Sequence, residues 1–221
     1  MKKIKNRKAF MLMELIVVVA VIAILMAIII PAAQKVLVSA RKAKASTSMR
    51  QIAEAYSRYY NEHSIIPAAT SAADMALKLA QAGEINNANA FIFPGDKAAA
   101  EVLAQEIYPL DANKYPWEAG KPLSVVLICN IMAGLAPEMV PVAYSRGLKD
   151  DGTWDATNGV YGTEGGFIAF LDGTVTWFTN LSEKKIPLGG STGSGFDFGM
   201  PTILSEIGAT ALDGNVPAAA S

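Results

Sequence analysis

The feature that most constrains this chain is its N-terminal start, where a short basic leader precedes a long apolar run. Residues 10–30 comprise twenty apolar side chains and a single acid, Glu14. At about 1.5 Å per residue, an α-helix of that length crosses the hydrocarbon core of a bilayer. A carboxylate in such a segment costs roughly 2.5–3.5 kcal/mol on insertion scales, so we expect a chain that keeps one to use it.

The end of the apolar run distinguishes it from an ordinary secretory signal. The run passes into Pro31 and a further helical pattern, whereas a secretory signal ends at a small-residue cleavage site. We therefore expect the leader, residues 1–9, to be removed and the apolar helix to remain. An uncleaved signal anchor is the alternative.

The basic leader followed by Ala9, Phe10 and Glu14 resembles the signal of type IV prepilins, the family of type IV pilins and type II secretion pseudopilins. The resemblance implies that a prepilin peptidase cuts between Ala9 and Phe10 and methylates the new amine of Phe10. It also implies that Glu14 meets the N-terminal amine of a neighbouring subunit, because in lipid each charge costs less when it is neutralised. The family usually has Gly before the cut. Ala9 adds a methyl group there, so we expect cleavage and leave its rate open.

Pro31 is the second match to this family. Proline inside a helix removes one backbone hydrogen bond and frees the carbonyl four residues earlier, here that of Ala27. Neighbouring helices can satisfy that carbonyl in a membrane. The resemblance implies a helix that loosens at Pro31 when subunits pack, and a simple kink at the membrane exit is equally compatible.

The charges do not decide the orientation in the membrane. The leader holds five basic residues, and residues 32–50 hold five more and no acid, so the positive-inside rule gives a tie. The resemblance implies a cytoplasmic N-terminus and a periplasmic head on the bacterial inner membrane. Residues 51–221 carry nineteen acids against nine bases. The basic stem could therefore face the acidic heads of other copies or anionic lipid headgroups, and both interpretations stay open.

The periodicity beyond Pro31 predicts that the helix continues. Apolar residues recur at helical spacing as far as Tyr60, which favours one helix from Phe10 to about Asn61. Ser71 with Asp74 predicts the start of a second helix that reaches Ala82.

Later segments predict a further helix and a small sheet. Asp96 is positioned to cap a helix over 97–107, and residues 90–93 are a strand or a packing segment. Residues 123–130 predict an interior strand, and residues 139–145 a second strand in which Pro141 indicates an edge or a bulge. Residues 166–178 flank Asp-Gly with β-rich runs, which predicts a hairpin.

That hairpin resembles the C-terminal motif of pilin-like proteins abundant in Planctomycetes, Verrucomicrobia and Lentisphaerae, in which nine residues separate a histidine from the following Asp-Gly. Asp172-Gly173 and the following strand match this motif, and residues 140–144 match its upstream strand. The chain has Gly162 at the histidine position and Thr174 where a second histidine is common. The resemblance therefore implies only the hairpin geometry here.

Few residues in the chain predict site chemistry. The single cysteine, Cys129, lies in a buried-strand pattern and can form no disulfide within the chain. The single histidine, His63, has no acid or nucleophile arranged beside it. The segment Asp150–Asn158 offers closely spaced oxygen ligands without the EF-hand spacing, so it predicts a solvated acidic turn, with a calcium site as the alternative. We expect no catalytic, cofactor-binding or metal-binding residues and no nucleic-acid partner.

Together these observations predict an α+β, pilin-like fold in which a long N-terminal helix packs on a small antiparallel sheet. The expected organisation is a leader (1–9), a transmembrane helix (10–31), an amphipathic stem (32–62), a head (63–184) and an irregular tail (185–221). The expected function is a filament subunit whose partners are its own copies, other pilin-like subunits, the prepilin peptidase, an inner-membrane assembly platform and the bilayer. The alternative is a membrane-anchored periplasmic binding or enzymatic domain that never polymerises.

Overall fold

The structure is a computed structural model that describes residues 12–109, 115–131, 137, 140–149, 151–181 and 210–212. Its elements are, in chain order, α1 (Leu12–His63), α2 (Ala72–Gln81), a 3₁₀ turn (Ala88–Phe91), β1 (Val125–Cys129), β2 (Pro141–Ser145), a second 3₁₀ turn (Gly162–Glu164), β3 (Gly166–Phe170), β4 (Val175–Phe178) and β5 (Thr210–Leu212). The fold is α+β, a long N-terminal helix packed on a small antiparallel sheet, which confirms the predicted class.

The chain divides into two compact units, Met1–Lys42 and Ala43–Ser221. The first unit holds the apolar part of α1, and the second holds the rest of α1 and the whole sheet. The predicted leader lies outside the described residues. The predicted change from transmembrane helix to stem at residues 31–32 coincides with no break, because α1 continues through Pro31.

The C-terminal part of α1 supplies one side of the head's core. Ala45, Met49, Ile52 and Tyr56 are fully buried. Their spacing of four, three and four residues places them on one face of the helix, as the periodicity predicts. Burying each large apolar side chain contributes about 1.5–3 kcal/mol, so this face holds the C-terminal part of α1, from Ala45 to Tyr56, in the core of the second unit.

Helix α2 begins and ends with the predicted signals. The Ser71 hydroxyl accepts a hydrogen bond from the backbone N–H of Asp74 at 3.1 Å, which is an N-cap. In return, the Asp74 carboxylate accepts from the backbone N–H of Thr70 at 2.9 Å. The helix ends before Gly83, whose φ of +82° is a conformation that glycine adopts without steric cost.

The predicted helix over 97–107 is wrong, because long-range hydrogen bonds hold this segment in an irregular conformation. The backbone N–H of Leu103 donates to the carbonyl of Pro116 at 2.7 Å, and that of Ile107 donates to the Asn86 side chain at 2.9 Å. These donors are therefore not available for a helical ladder. Residues 90–93 prove to be a packing segment: Phe91 ends the 3₁₀ turn, Phe93 follows it, and both side chains are buried.

The sheet has the strand order β4-β3-β2-β1-β5, with all neighbours antiparallel. β1 is interior, as predicted. β2 is the middle strand, so the edge interpretation of Pro141 is wrong and the bulge interpretation is confirmed: the register with β3 shifts between Pro141 and Ala143. The shift leaves Val142 as the extra residue, next to Pro141, and a residue that has no N–H to donate is tolerated at such an irregular part of a ladder.

The predicted hairpin is present as β3 and β4. Asp172 accepts a hydrogen bond from the backbone N–H of Thr174 at 2.8 Å, and Gly173 has a φ of +89°. The other edge of the sheet differs from the prediction. Part of the expected irregular tail, Thr210–Leu212, forms β5 and pairs with β1, which places Leu212 opposite Leu127 in the core.

Candidate functional site

The most conspicuous site is the apolar part of α1, whose large side chains are all solvent-exposed in the isolated chain. The exposed fractions run from 46% at Val38 to 76% at Met13. The exposed large apolar residues of this region are Leu12, Met13, Leu15, Ile16, Val17, Val18, Val19, Val21, Ile22, Ile24, Leu25, Met26, Ile28, Ile29, Ile30, Val36, Leu37 and Val38.

A surface of this kind requires an apolar partner. The largest apolar patch of a typical soluble monomer is about 300–600 Å², and a helix that is apolar on every face is normally buried in protein or lipid. From Leu12 to Ile30 the helix rises about 27 Å, close to the thickness of a bilayer's hydrocarbon core. By length and composition, α1 is the one helix within the described ranges that could cross a membrane.

Glu14 lies in the first turn of α1, between exposed apolar neighbours. The helix dipole stabilises a carboxylate at this position by about 0.3–1 kcal/mol. That is less than the roughly 2.5–3.5 kcal/mol cost of placing a charge in lipid. A cation close to the carboxylate would offset the remainder in a bilayer. Ala9 and Phe10, the predicted cleavage and methylation sites, lie outside the described residues.

Pro31 lies inside α1 without ending it. Because proline has no backbone N–H, the carbonyl of Ala27 receives no hydrogen bond from position 31. The helix therefore has a weakened point one residue after the apolar run of residues 10–30. The geometry is compatible with both interpretations of Pro31, loosening or kinking.

A buried hydrogen bond joins the C-terminal part of α1 to the sheet within the second unit. Tyr56 donates its hydroxyl to the carbonyl of Ile128 in β1 at 2.8 Å. Burial raises the pKa of Tyr56 well above its ordinary value, and the nearby Cys129 thiol adds to this shift. The phenol therefore stays neutral and can donate throughout the physiological range.

Replacing Tyr56 by Phe is expected to lower the free energy of unfolding by about 1–3 kcal/mol, because the Ile128 carbonyl would stay buried without a donor. Urea unfolding of the full-length protein in detergent measures this change. Tyr108→Phe is the control, since that side chain is 44% exposed. An unchanged unfolding midpoint in Tyr56→Phe would contradict the structural role of the bond.

A buried ion pair joins three distant parts of the head, and the sequence analysis missed it. The Arg146 guanidinium donates to both oxygens of Asp96 at 2.7 Å, and the two side chains are 11% and 3% exposed. The hydroxyl of Ser124 also donates to Asp96, at 2.7 Å. Asp96 therefore anchors Arg146 and Ser124 instead of capping a helix over 97–107.

Arg146 also holds two loops. Its Nε donates to the carbonyl of Leu123 at 3.0 Å, and its Nη1 donates to the carbonyl of Asn158. The charge of Asp96 reaches Tyr161, whose pKa is raised first by burial and then by this carboxylate. Fifty residues separate Asp96 from Arg146, and no sequence signal that we identified pairs them. We call Asp96, Ser124 and Arg146 the clasp. Their side chains are hydrogen-bonded to one another and to the two loops, and this arrangement is structural.

The acidic loop that follows Arg146, residues 149–158, contains turns in which carboxylates accept hydrogen bonds from nearby residues. Hydrogen bonds from the backbone N–H groups of Asn158 and Thr157 lower the pKa of Asp155. Hydrogen bonds from the hydroxyl and the backbone N–H of Thr153 lower the pKa of Asp151. Both carboxylates are thus engaged locally, as the turn interpretation expects. In the described part of the chain no cluster of three His, Cys, Asp or Glu side chains could hold a metal ion, and Asp150 lies outside that part.

Three other positions that the sequence analysis singled out, His63, Cys129 and Gly162, make contacts or adopt conformations that serve the fold. His63 stacks on Tyr59 with ring centroids 4.2 Å apart and bonds its carbonyl at 3.1 Å. Cys129 is a buried free thiol, as predicted. Gly162, the position that the sequence comparison aligned with the motif histidine, has a φ of +56° at the start of the second 3₁₀ turn. A left-handed backbone suits glycine there.

In comparisons with models of protein families, with curated proteins and with solved structures, nothing matches this chain. The fold and the site define an α+β protein with an N-terminal helix that is long and apolar enough to cross a membrane.

Proposed function

We propose that this chain is a pilin or pseudopilin, a structural subunit that is stored in the bacterial inner membrane and assembled into a type IV pilus-like or secretion filament. The observation that carries the proposal is the exposed apolar part of α1 with Glu14 in its first turn. Lipid or the helices of other copies can cover this surface. Water cannot do so without a large hydrophobic cost, about 25 cal/mol for each Å².

The position of Glu14 gives the helix a function beyond anchoring. A simple anchor gains nothing from a carboxylate near the start of its apolar run, because the charge only weakens insertion. Within a filament, cleavage before Phe10 creates an amine four residues from Glu14 in the sequence. Pairing that amine with Glu14 of a neighbouring copy neutralises two charges in lipid, so assembly becomes favourable and its axial register is set.

The proposed topology places the leader in the cytoplasm and the head in the periplasm. Large domains are translocated largely regardless of charge, so the basic stem does not oppose this orientation. The second candidate is an anchored periplasmic binding or enzymatic domain that does not polymerise. Two results would distinguish this candidate: the N-terminus would be unprocessed, and replacement of Glu14 would leave the function of the protein unchanged.

Processing provides the direct test. We expect the protein isolated from its native membranes to begin at Phe10 and to carry one methyl group on that residue. Intact mass and N-terminal sequencing measure both features. Ala9→Leu should accumulate the uncut form, because a bulky side chain precedes the cut, while Ala9→Gly should be cut at least as well as the native chain. A native chain that still starts at Met1 would contradict the proposal and favour the anchored domain.

A further inference from the structure

The stem carries an exposed segment in which apolar side chains lie between basic ones. We call residues 35–44 the stem segment. Val36, Leu37 and Val38 are 67%, 56% and 46% exposed. Lys35 precedes them and Arg41 follows, both exposed, and neither forms an ion pair or hydrogen bond with any described residue. The stem segment is therefore apolar and positively charged, with Lys35 and Arg41 exposed on either side of its apolar residues.

The head carries a segment of matching character, residues 101–108, which we call the head segment. Leu103 and Tyr108 are 68% and 44% exposed. Among the described residues from 43 onward, the only other large apolar side chain with comparable exposure is Ile65. Glu101 and Glu106 are also exposed, so the head segment is apolar and negatively charged.

The head segment is held rigidly in its outward orientation. Leu103 donates its backbone N–H to Pro116 at 2.7 Å, and Tyr108 donates its own to the Asn86 side chain at 2.7 Å. Ile107 is fully buried and packs into the core. A surface that is already ordered loses little conformational entropy when it binds a partner.

We propose that the head segment of one copy docks on the stem segment of another copy. Leu103 and Tyr108 would cover the apolar residues 36–38, while Glu101 and Glu106 would lie against the basic side chains at either end. Charge complementarity sets the register of such a contact, and burial of the apolar residues supplies the affinity. This inference rests on the proposed function, because it needs copies that assemble side by side.

Anionic lipid explains the stem segment less well than a second copy does. With Ile30 at the edge of the hydrocarbon core, Lys35 lies about 7.5 Å above it, within a headgroup layer of about 5–8 Å. Arg41 lies about 16 Å above it, beyond that layer. Attraction to the lipid surface falls off within a Debye length of about 8 Å. Attraction to the headgroups is therefore weaker at Arg41 than at Lys35, whereas an acidic protein surface can lie directly against Arg41.

The test is disulfide cross-linking between two co-expressed full-length copies, one carrying Leu37→Cys and the other Leu103→Cys. Cys129 stays in place because it is buried. We expect a cross-linked pair in filaments at a yield about tenfold above that of the control combination, Leu37→Cys with Gln81→Cys, in which Gln81 is exposed at the end of α2.

Charge reversal tests the electrostatic part. Arg41→Glu in the first copy is expected to lower the cross-linking yield about tenfold, and Glu106→Arg in the second copy to restore it. Arg50→Glu is the matched control, because it reverses an exposed charge outside the stem segment. An unchanged yield in Arg41→Glu, with reduced binding of the protein to phosphatidylglycerol vesicles, would assign the stem segment to lipid and overturn the inference.

The outcomes separate the inference from the proposed function. Filaments that form without cross-links above the control would overturn the docking of these two segments and leave the filament proposal standing. The absence of filaments from the native chain would overturn the proposed function and the docking with it.

Discussion

Replacing Glu14 by Leu is expected to abolish incorporation into filaments while leaving the protein in the membrane. Insertion becomes easier, because leucine contributes about −0.3 to −0.6 kcal/mol where a charge costs about 2.5–3.5 kcal/mol. Assembly loses the carboxylate, and the amine of Phe10 then stays uncompensated in the filament. Removing one partner of a buried pair costs about 3–5 kcal/mol, so filament yield should fall about 100-fold or more.

Two further variants separate the loss of the Glu14 charge from a general change in the helix. Glu14→Gln keeps the shape and removes the charge, and it should fail almost as completely if neutralisation is the function of Glu14. Ala20→Leu alters an exposed apolar position of the same helix and should assemble normally. The measurements are the membrane fraction by carbonate extraction and the filament fraction by shearing and immunoblotting. Normal filaments from Glu14→Leu would contradict the pairing of Glu14 with the amine of Phe10 and leave Glu14 without a role in assembly.

Replacing Arg146 by Met is expected to destabilise the head by about 3–5 kcal/mol, because Asp96 would keep a buried charge without its cation. Both side chains are nearly buried, and the guanidinium meets both carboxylate oxygens. The loss would also release the carbonyls of Leu123 and Asn158. Urea unfolding of the full-length protein in detergent, followed by tryptophan fluorescence, measures the change.

The double variant Arg146→Met with Asp96→Leu separates the charge from the packing. Removing both charges should recover part of the lost stability, since an apolar replacement of a buried pair is often close to neutral. Lys78→Met is the control, because Lys78 pairs with Asp74 at 3.4 Å with side chains 36% and 20% exposed. That change should cost at most about 1 kcal/mol. A loss in Arg146→Met no larger than in this control would refute the clasp.

The ion pair between Asp96 and Arg146 has a consequence for function as well as for stability. Asp96 and Ser124 meet where the chain enters β1, and Arg146 follows the last residue of β2. Weakening the clasp would loosen the region between the 3₁₀ turn and β1, from which the head segment is presented. Arg146→Met is therefore expected to reduce assembly indirectly, and it should not be used to probe the docking contact itself.

Local chemistry made much of the fold predictable from the sequence. The apolar run and Glu14 are visible because a membrane-spanning helix is defined by length and composition. The start of α2 follows from Ser71 and Asp74, whose side chains act within one turn. The β3–β4 hairpin follows from Asp172-Gly173 between two β-rich runs. Each of these features depends on residues close together in the chain.

The tertiary structure alone decided the features that depend on distant partners. Asp96 has the chemistry of a helix cap, yet Arg146, fifty residues later, takes its carboxylate, and the segment that follows donates its N–H groups to Pro116 and Asn86. Residues 210–212 become a strand only because β1 offers an unpaired edge. Local signals act at short range and survive in the sequence, whereas these pairings depend on which surfaces the fold brings together.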